Sequence, residues 1–226
     1  MQWTLVVPLK PLAQAKSRLS DTASDTVRPG LVLAFAQDTV AAALASRAVR
    51  DVVVVTDDAL ADRELTRLGA RTVPDAVRGG GLNAALAHGA ATVRDSRPGA
   101  ALATLNADLP ALRSEELTRV LDRAAQFPRA FVPDASGIGT TLLTALPGTE
   151  LRPLFGGASR ARHRASGAVE ILLPDTDSVR QDVDTGRDLW TALALGVGPH
   201  TRRAAPRPPV ADGESTRRAV CRQPRR

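Results

Sequence analysis

Apolar residues in this chain fall into short unbroken blocks, separated by longer stretches in which they recur at helical spacing. The block over 4–8 predicts a buried strand that Pro8 stops. Val52, Val53, Val54 and Val55 form the clearest block, ending at Thr56, Asp57 and Asp58. Consecutive apolar residues suit a strand covered on both faces, as in a parallel sheet. Further strands are predicted over 71–73, 100–105 and 130–132. The stretches between them read as helices. Pro29 suits the first turn of a helix over 31–45, and Gly69 closes one over 59–68. A third spans 82–93 after the glycines at 79–81. A fourth spans 114–125, with Ser114 as cap and Glu115 and Glu116 at its positive end.

Strands alternating with helices predict an α/β fold with a mostly parallel sheet flanked by helices. Active sites in such sheets lie beyond the carboxyl ends of the strands. That rule places the segments 9–19, 56–58, 74–83, 106–110 and 133–141 on one rim. The pattern shows no internal repeat and predicts one domain over 1–201. The remainder, 202–226, is rich in arginine and proline, offers nothing to bury and predicts a disordered tail.

Charge changes this picture mainly by its location. The net charge of +6 is matched by the eight arginines and two acids of 202–226, so the folded part is neutral. Aromatic residues make up 3% of the chain and tyrosine is absent, which disfavours a base-stacking nucleic-acid surface. A module that binds nucleic acid through its basic tail is the alternative from outside enzymes. The only cysteine, Cys221, can make neither an internal disulfide nor a zinc cage. No apolar run approaches the roughly 20 residues of a membrane helix, and the first residues do not read as a signal peptide. A cytoplasmic protein is expected, with no membrane partner.

The basic residues are 28 arginines and two lysines, Lys10 and Lys16. Such usage suggests a GC-rich coding sequence that drifts lysine toward arginine, so two lysines surviving in one loop invite a specific explanation. Lysine is a compact point charge where arginine is a wide planar fork, and a tight phosphate cradle can require the former. With Arg18 they put three cations on the loop after the first strand, as a polyphosphate needs. The loop is not a Walker A loop, since it lacks the glycines and the Gly-Lys-Ser/Thr ending.

Four other segments carry candidate chemistry. Asp108, after the 100–105 strand, is placed either to hold Mg²⁺ against a triphosphate or to make a turn before Pro110. Asp182 and Asp184 alternate on an extended segment and so share a face; Asp184, with or without Asp182, is the candidate second carboxylate on the metal. Thr185 and Asp188 resemble a capping box. Gly137, Gly139, Thr140 and Thr141 allow close backbone approach to an anion. The turn through Gly156, Gly157 and Ser159 leads into a basic helix and makes a second anion site. His163 on that helix reads as a surface residue without a catalytic role.

Taken together, these segments resemble the guanylyltransferase family of deazaflavin coenzyme F-420 biosynthesis, over Leu5 to about Thr201. The resemblance rests on segments 8–19, 73–75, 81–86, 107–112, 131–143, 155–168, 182–189 and 196–199. It implies a Rossmann-like nucleotidyltransferase fold related to the glycosyltransferase-A group. It further implies transfer of GMP from GTP to the phosphate of phosphoenolpyruvate or 2-phospho-L-lactate, with Mg²⁺ as cofactor. Carried over by position, acid-substrate contacts fall on Thr140, Gly156 and Ser159, and metal aspartates on Asp108 and Asp184. Gly81, Leu82 and Asn83 fall where related enzymes contact the base. Lys10, Lys16 and Arg18 would hold the triphosphate. Ile138 departs from the small or hydroxyl residue expected between the two glycines. The implied partners are the two small substrates and the enzyme that consumes the product. Acceptors such as 3-phosphoglycerate or molybdopterin stay open. An Asp-x-Asp sugar transferase is disfavoured, because that place reads Asn106-Ala107-Asp108.

Overall fold

A computed structural model describes residues 1–16, 19, 24, 26–76 and 79–206. Arg18 and 207–226, most of the expected tail, lie outside the described residues. The strands are β1 (Trp3–Pro8), β2 (Val49–Val55), β3 (Arg71–Val73), β4 (Ala101–Leu105), β5 (Arg129–Pro133), β6 (Thr140–Ala145) and β7 (Val169–Glu170). They form one sheet in the order β3-β2-β1-β4-β6-β5-β7. All pairings are parallel except those of β6, which runs antiparallel to both β4 and β5.

Strand alternation sorts the core into two layers. From β1 and β2, Leu5, Val7, Val52 and Val54 pack toward α1 (Arg28–Ala45), α2 (Ala59–Arg67) and α4 (Ser114–Ala124). Val6, Val53 and Val55 pack on the other face, against Leu86, Ala90 and Val93 of α3 (Gly81–Ser96). Gly89 lets α3 press close to the sheet: a Cβ there would lie 2.6 Å from a Val6 methyl and 2.7 Å from a Val55 methyl.

Besides the two-residue β7, β6 is the strand that the hydrophobic pattern did not predict. Its two leading threonines follow a glycine turn and read as part of an anion loop, yet threonine suits a pleated strand equally well. Inserting β6 between β4 and β5 sets Thr140, its first residue, at the rim.

Four more helices follow among the described residues: α5 (Ser159–Ala165), α6 (Asp177–Arg180), α7 (Gly186–Leu195) and α8 (Pro199–Ala204). The capping box at Thr185 and Asp188 starts α7. Ser114, in contrast, is the first residue of α4 rather than its cap, a position that Arg113 takes without a side-chain bond. α8 carries the helical chain past the boundary expected at 202; buried Asp38 accepts from the backbone N–H groups of His200 (3.1 Å) and Thr201 (2.7 Å) to hold its start. Among the described residues, no helix is long and apolar enough to cross a membrane.

Candidate active site

The core beneath the rim brings two of its segments together. A cluster of Leu31 and Phe35 from α1 with Ala111, Val183 and Leu189 draws the segment before α7 onto the loop after β4. Val183 is fully buried there, and its N–H bonds to the Asp108 carbonyl at 3.0 Å. Burying Val183 turns its neighbours Asp182 and Asp184 into the same cavity that Asp108 lines. The alternation read from the sequence therefore operates in the structure, although this segment is a loop and not a strand.

The cavity has a volume of about 470 Å³, and Lys10, Lys16, Thr140, Gly156 and Ser159 also line it. Lys16 has φ 57°, in the left-handed region. Its ammonium donates to Asp184 Oδ1 at 2.5 Å and to Asp108 Oδ2. Burial alone would lower the Lys16 pKa, but the Asp108 and Asp184 charges outweigh it and the net shift is upward. Asp182 is pushed up to about 8 by burial and by repulsion from Asp108 and Asp184, with Lys16 opposing. Asp108 Oδ1 is buried and has no hydrogen-bond partner. Such an orphaned carboxylate oxygen is costly unless a cation meets it.

Two turns also line the cavity. At β5–β6, Asp134 accepts from Ile138 N–H (3.0 Å) and from Ser136 (2.9 Å), with Gly137 at φ 72°. A Cβ on Gly139 would lie 2.5 Å from Asp134 Oδ2, so a side chain there would push that carboxylate off its bonds to Ser136 and Ile138. Ile138, the residue that departs from the family pattern, is 60% exposed. The second turn carries Gly156 at φ 94° and Gly157 at φ 45° before α5. The arginines of α5, the basic helix that follows this turn, are engaged with protein groups. Arg160 and Arg164 pair with Glu170, and Arg162 donates to the carbonyls of Leu154, Phe155 and Gly156. They brace the turns.

A second cavity, about 410 Å³, adjoins the first and shares Leu9, Lys10, Gln14 and Leu82 with it. Gly81 and Leu82 line it, as do Asp57 and Asp75, which the sequence places on the rim without a role. Asn83 lines neither cavity. Its amide pairs reciprocally with the Phe155 backbone, Nδ2 donating at 3.1 Å and Oδ1 accepting at 2.7 Å. It holds the Gly156 turn.

His163 also departs from the sequence reading. Its ring is fully buried between Phe131 and Phe155 and bonds to Thr140. A lone histidine on an arginine-rich helix carries no local signal for burial.

The family model for guanylyl transferases described as CofC like matches residues 3–204. A protein of Streptomyces coelicolor named phosphoenolpyruvate guanylyltransferase is 72% identical over 207 residues, covering 92% of this chain and 97% of its own. The protein of that name from Thermomonospora curvata is 54% identical, covering 93% and 91%. Among solved structures, 4-diphosphocytidyl-2C-methyl-D-erythritol synthase superposes with a TM-score of 0.56 at 16% identity, covering 86% of this chain and 99% of that one. A nucleotidyl transferase from Methanothermobacter gives 0.56 at 17%, covering 86% and 97%. At such identities the likeness is one of fold.

Proposed function

The chain belongs to the CofC-like guanylyl transferase family, and on that premise we propose that it transfers GMP from GTP to the phosphate of phosphoenolpyruvate. Pyrophosphate leaves, and the product is the activated guanylyl intermediate for deazaflavin coenzyme F-420 biosynthesis. The observation that carries this reading is one cavity in which the Lys10–Lys16 loop, four aspartates and the turns at Thr140 and Gly156–Ser159 converge. The acceptor is chosen from the name that the 72% identical relative bears. A cytoplasmic setting belongs to the same reading.

The two cavities divide the substrates between them. Guanine enters the second, where the Asp75 side chain lies beside the path of its ring N–H and exocyclic amine, and Asp57 Oδ1 accepts from Asp75 N–H at 3.0 Å to set that loop. Lys10 lines both cavities and stands with Lys16 where the triphosphate passes from one to the other. Arg18 belongs to the same loop. The acceptor acid sits in the first cavity, gripped by Thr140, Gly156 and Ser159.

The residues fit a bound Mg²⁺. Asp108 and Asp184 already converge on one cation, the Lys16 ammonium, and Asp108 keeps a buried oxygen without a partner. Among the described residues no three ligand side chains form a closed cage. Magnesium takes one or two carboxylates together with phosphate oxygens and water, so an open pair suits it. When bound, the ion supplies charge neutralisation at the α-phosphate.

In the reaction, a phosphate oxygen of the acceptor attacks the α-phosphorus and forms a new P–O bond. The bond from the α-phosphorus to the β-bridging oxygen breaks, and its electron pair leaves with pyrophosphate. The acceptor oxygen is already anionic, so no general base is required. The side chains contribute alignment and charge, the two effects on which such transfers depend.

A pyrophosphate-release assay tests the reading. It pairs each nucleoside triphosphate with phosphoenolpyruvate, 2-phospho-L-lactate and 3-phosphoglycerate, with the consuming enzyme present to pull the equilibrium. GTP with phosphoenolpyruvate gives the highest rate on this account. A better rate with another acid would reassign the acceptor, and one with another nucleotide would reassign the second cavity.

A further inference from the structure

We propose that His163 is a positioning residue for the acceptor: its Nδ1–H holds the Thr140 hydroxyl so that the hydroxyl's hydrogen is directed into the cavity at an anionic oxygen of the acid. The proposal rests on the reading that the acceptor occupies the Thr140 cavity.

The direction of every bond in this relay follows from one backbone amide. Leu154 N–H lies 3.0 Å from His163 Nε2. An amide nitrogen only donates, so Nε2 presents a lone pair and carries no proton. In a neutral imidazole the proton is then on Nδ1, which lies 2.9 Å from Thr140 Oγ1. The hydroxyl therefore accepts from histidine and keeps its one hydrogen for another partner. Among the described residues, Thr140 Oγ1 makes no other hydrogen bond. Thr140 is 4% exposed and lines the cavity, so an acceptor's oxygen is the partner available there.

The surroundings keep the ring in this state. His163 is buried against Phe131 and Phe155, with ring centroids at 5.7 and 5.0 Å. Burial, then the charges of Arg129 and Arg162, lower its pKa to about 4. A second proton would also set Nε2–H against Leu154 N–H and break that bond. Each donor in such a chain polarises the next, and the hydroxyl becomes a better donor than an isolated threonine. The ring further ties together the two turns that grip the acceptor, Thr140 at one and Leu154, two residues before Gly156, at the other.

The test is a double-mutant cycle read separately for each substrate. Thr140→Val should raise the acceptor KM about tenfold, the loss typical of one hydrogen bond to a charged group, and leave the GTP KM alone. His163→Phe, which keeps an aromatic ring between Phe131 and Phe155, should do the same. The double variant should be no worse than Thr140→Val. His163→Asn, whose amide can replace the Nδ1–H donor, should recover much of the loss. If Thr140→Val leaves the acceptor KM unchanged, the placement of the acceptor is wrong. If Thr140→Val acts but His163→Phe does not, or if the two effects add in full, the positioning role falls. Nitrogen-15 NMR of the histidines in the unmodified protein gives an answer that does not depend on how the variants fold. At neutral pH, His163 should show a protonated Nδ1 and a bare Nε2; the opposite tautomer overturns the proposal.

Discussion

The ammonium of Lys16 lies 2.5 Å from Asp184 Oδ1 and also donates to Asp108, so one side chain holds together two segments far apart in sequence. Two carboxylates meeting one cation define the electrostatic demand of the site. Lys16 meets that demand from a left-handed backbone, which fixes where its short reach ends.

Replacing Lys16 with methionine should therefore raise the GTP KM about tenfold or more, the cost of a lost charge-assisted hydrogen bond. Lys16→Arg should not restore it, because a wide planar fork replaces the compact point charge that a tight phosphate cradle takes. Steady-state kinetics with each substrate varied in turn checks this. An effect confined to the acceptor KM would contradict it.

Asp108→Asn should reduce kcat about 100-fold or more, since several kcal/mol of charge stabilisation is at stake. The half-saturating Mg²⁺ concentration should rise in parallel, and that titration separates loss of the ion from loss of fold. Unchanged magnesium dependence would remove Asp108 from the metal assignment.

Asp75→Ala should lower kcat/KM for GTP about tenfold or more and leave any residual rate with ATP unaltered, because adenine lacks the adjacent ring N–H and 2-amino donors that guanine presents to a carboxylate. Competition between the two nucleotides measures it. Equal losses for both would mean that Asp75 shapes the loop and does not read the base.

His163 also predicts how stability depends on pH. Its folded pKa of about 4 lies below the 6.5 of the unfolded chain. The unfolded state therefore takes up a proton as pH falls through 6.5, and the folded state does so only near 4. The contribution of the buried neutral ring is complete above pH 6.5 and declines between 6.5 and 4. Urea unfolding of the protein and of His163→Phe across this range should show a gentler decline in the variant. Parallel slopes would contradict the assignment.

The strands that are continuous apolar blocks, such as Val52–Val55, and the helices bounded by Pro29, Gly69 and Thr185 are legible in the sequence because local chemistry sets them. β6 is not. Its threonines satisfy the chemistry of a loop and of a strand alike, and only its placement between β4 and β5 decides. The same division holds in the site. Lys16, Asp108 and Asp184 stand out as charges on the rim, and the structure brings them together. Asn83 and His163 act through partners 72 and 23 residues away, Phe155 and Thr140, so their neighbours in sequence carry no sign of it. The basic run of α5 is silent about its partners in the same way: its arginines meet Glu170 and backbone carbonyls.

The most direct test of the account follows the α-phosphate of GTP. With GTP labelled at the α-phosphorus, phosphoenolpyruvate and Mg²⁺, the account predicts that the label moves into a diphosphate joining GMP to the enolpyruvyl group, visible by phosphorus NMR. One pyrophosphate should appear for each label transferred. Retention of the label in a guanosine diphosphate formed by γ-phosphate transfer, or no turnover of GTP beside efficient turnover of another nucleotide, would contradict it.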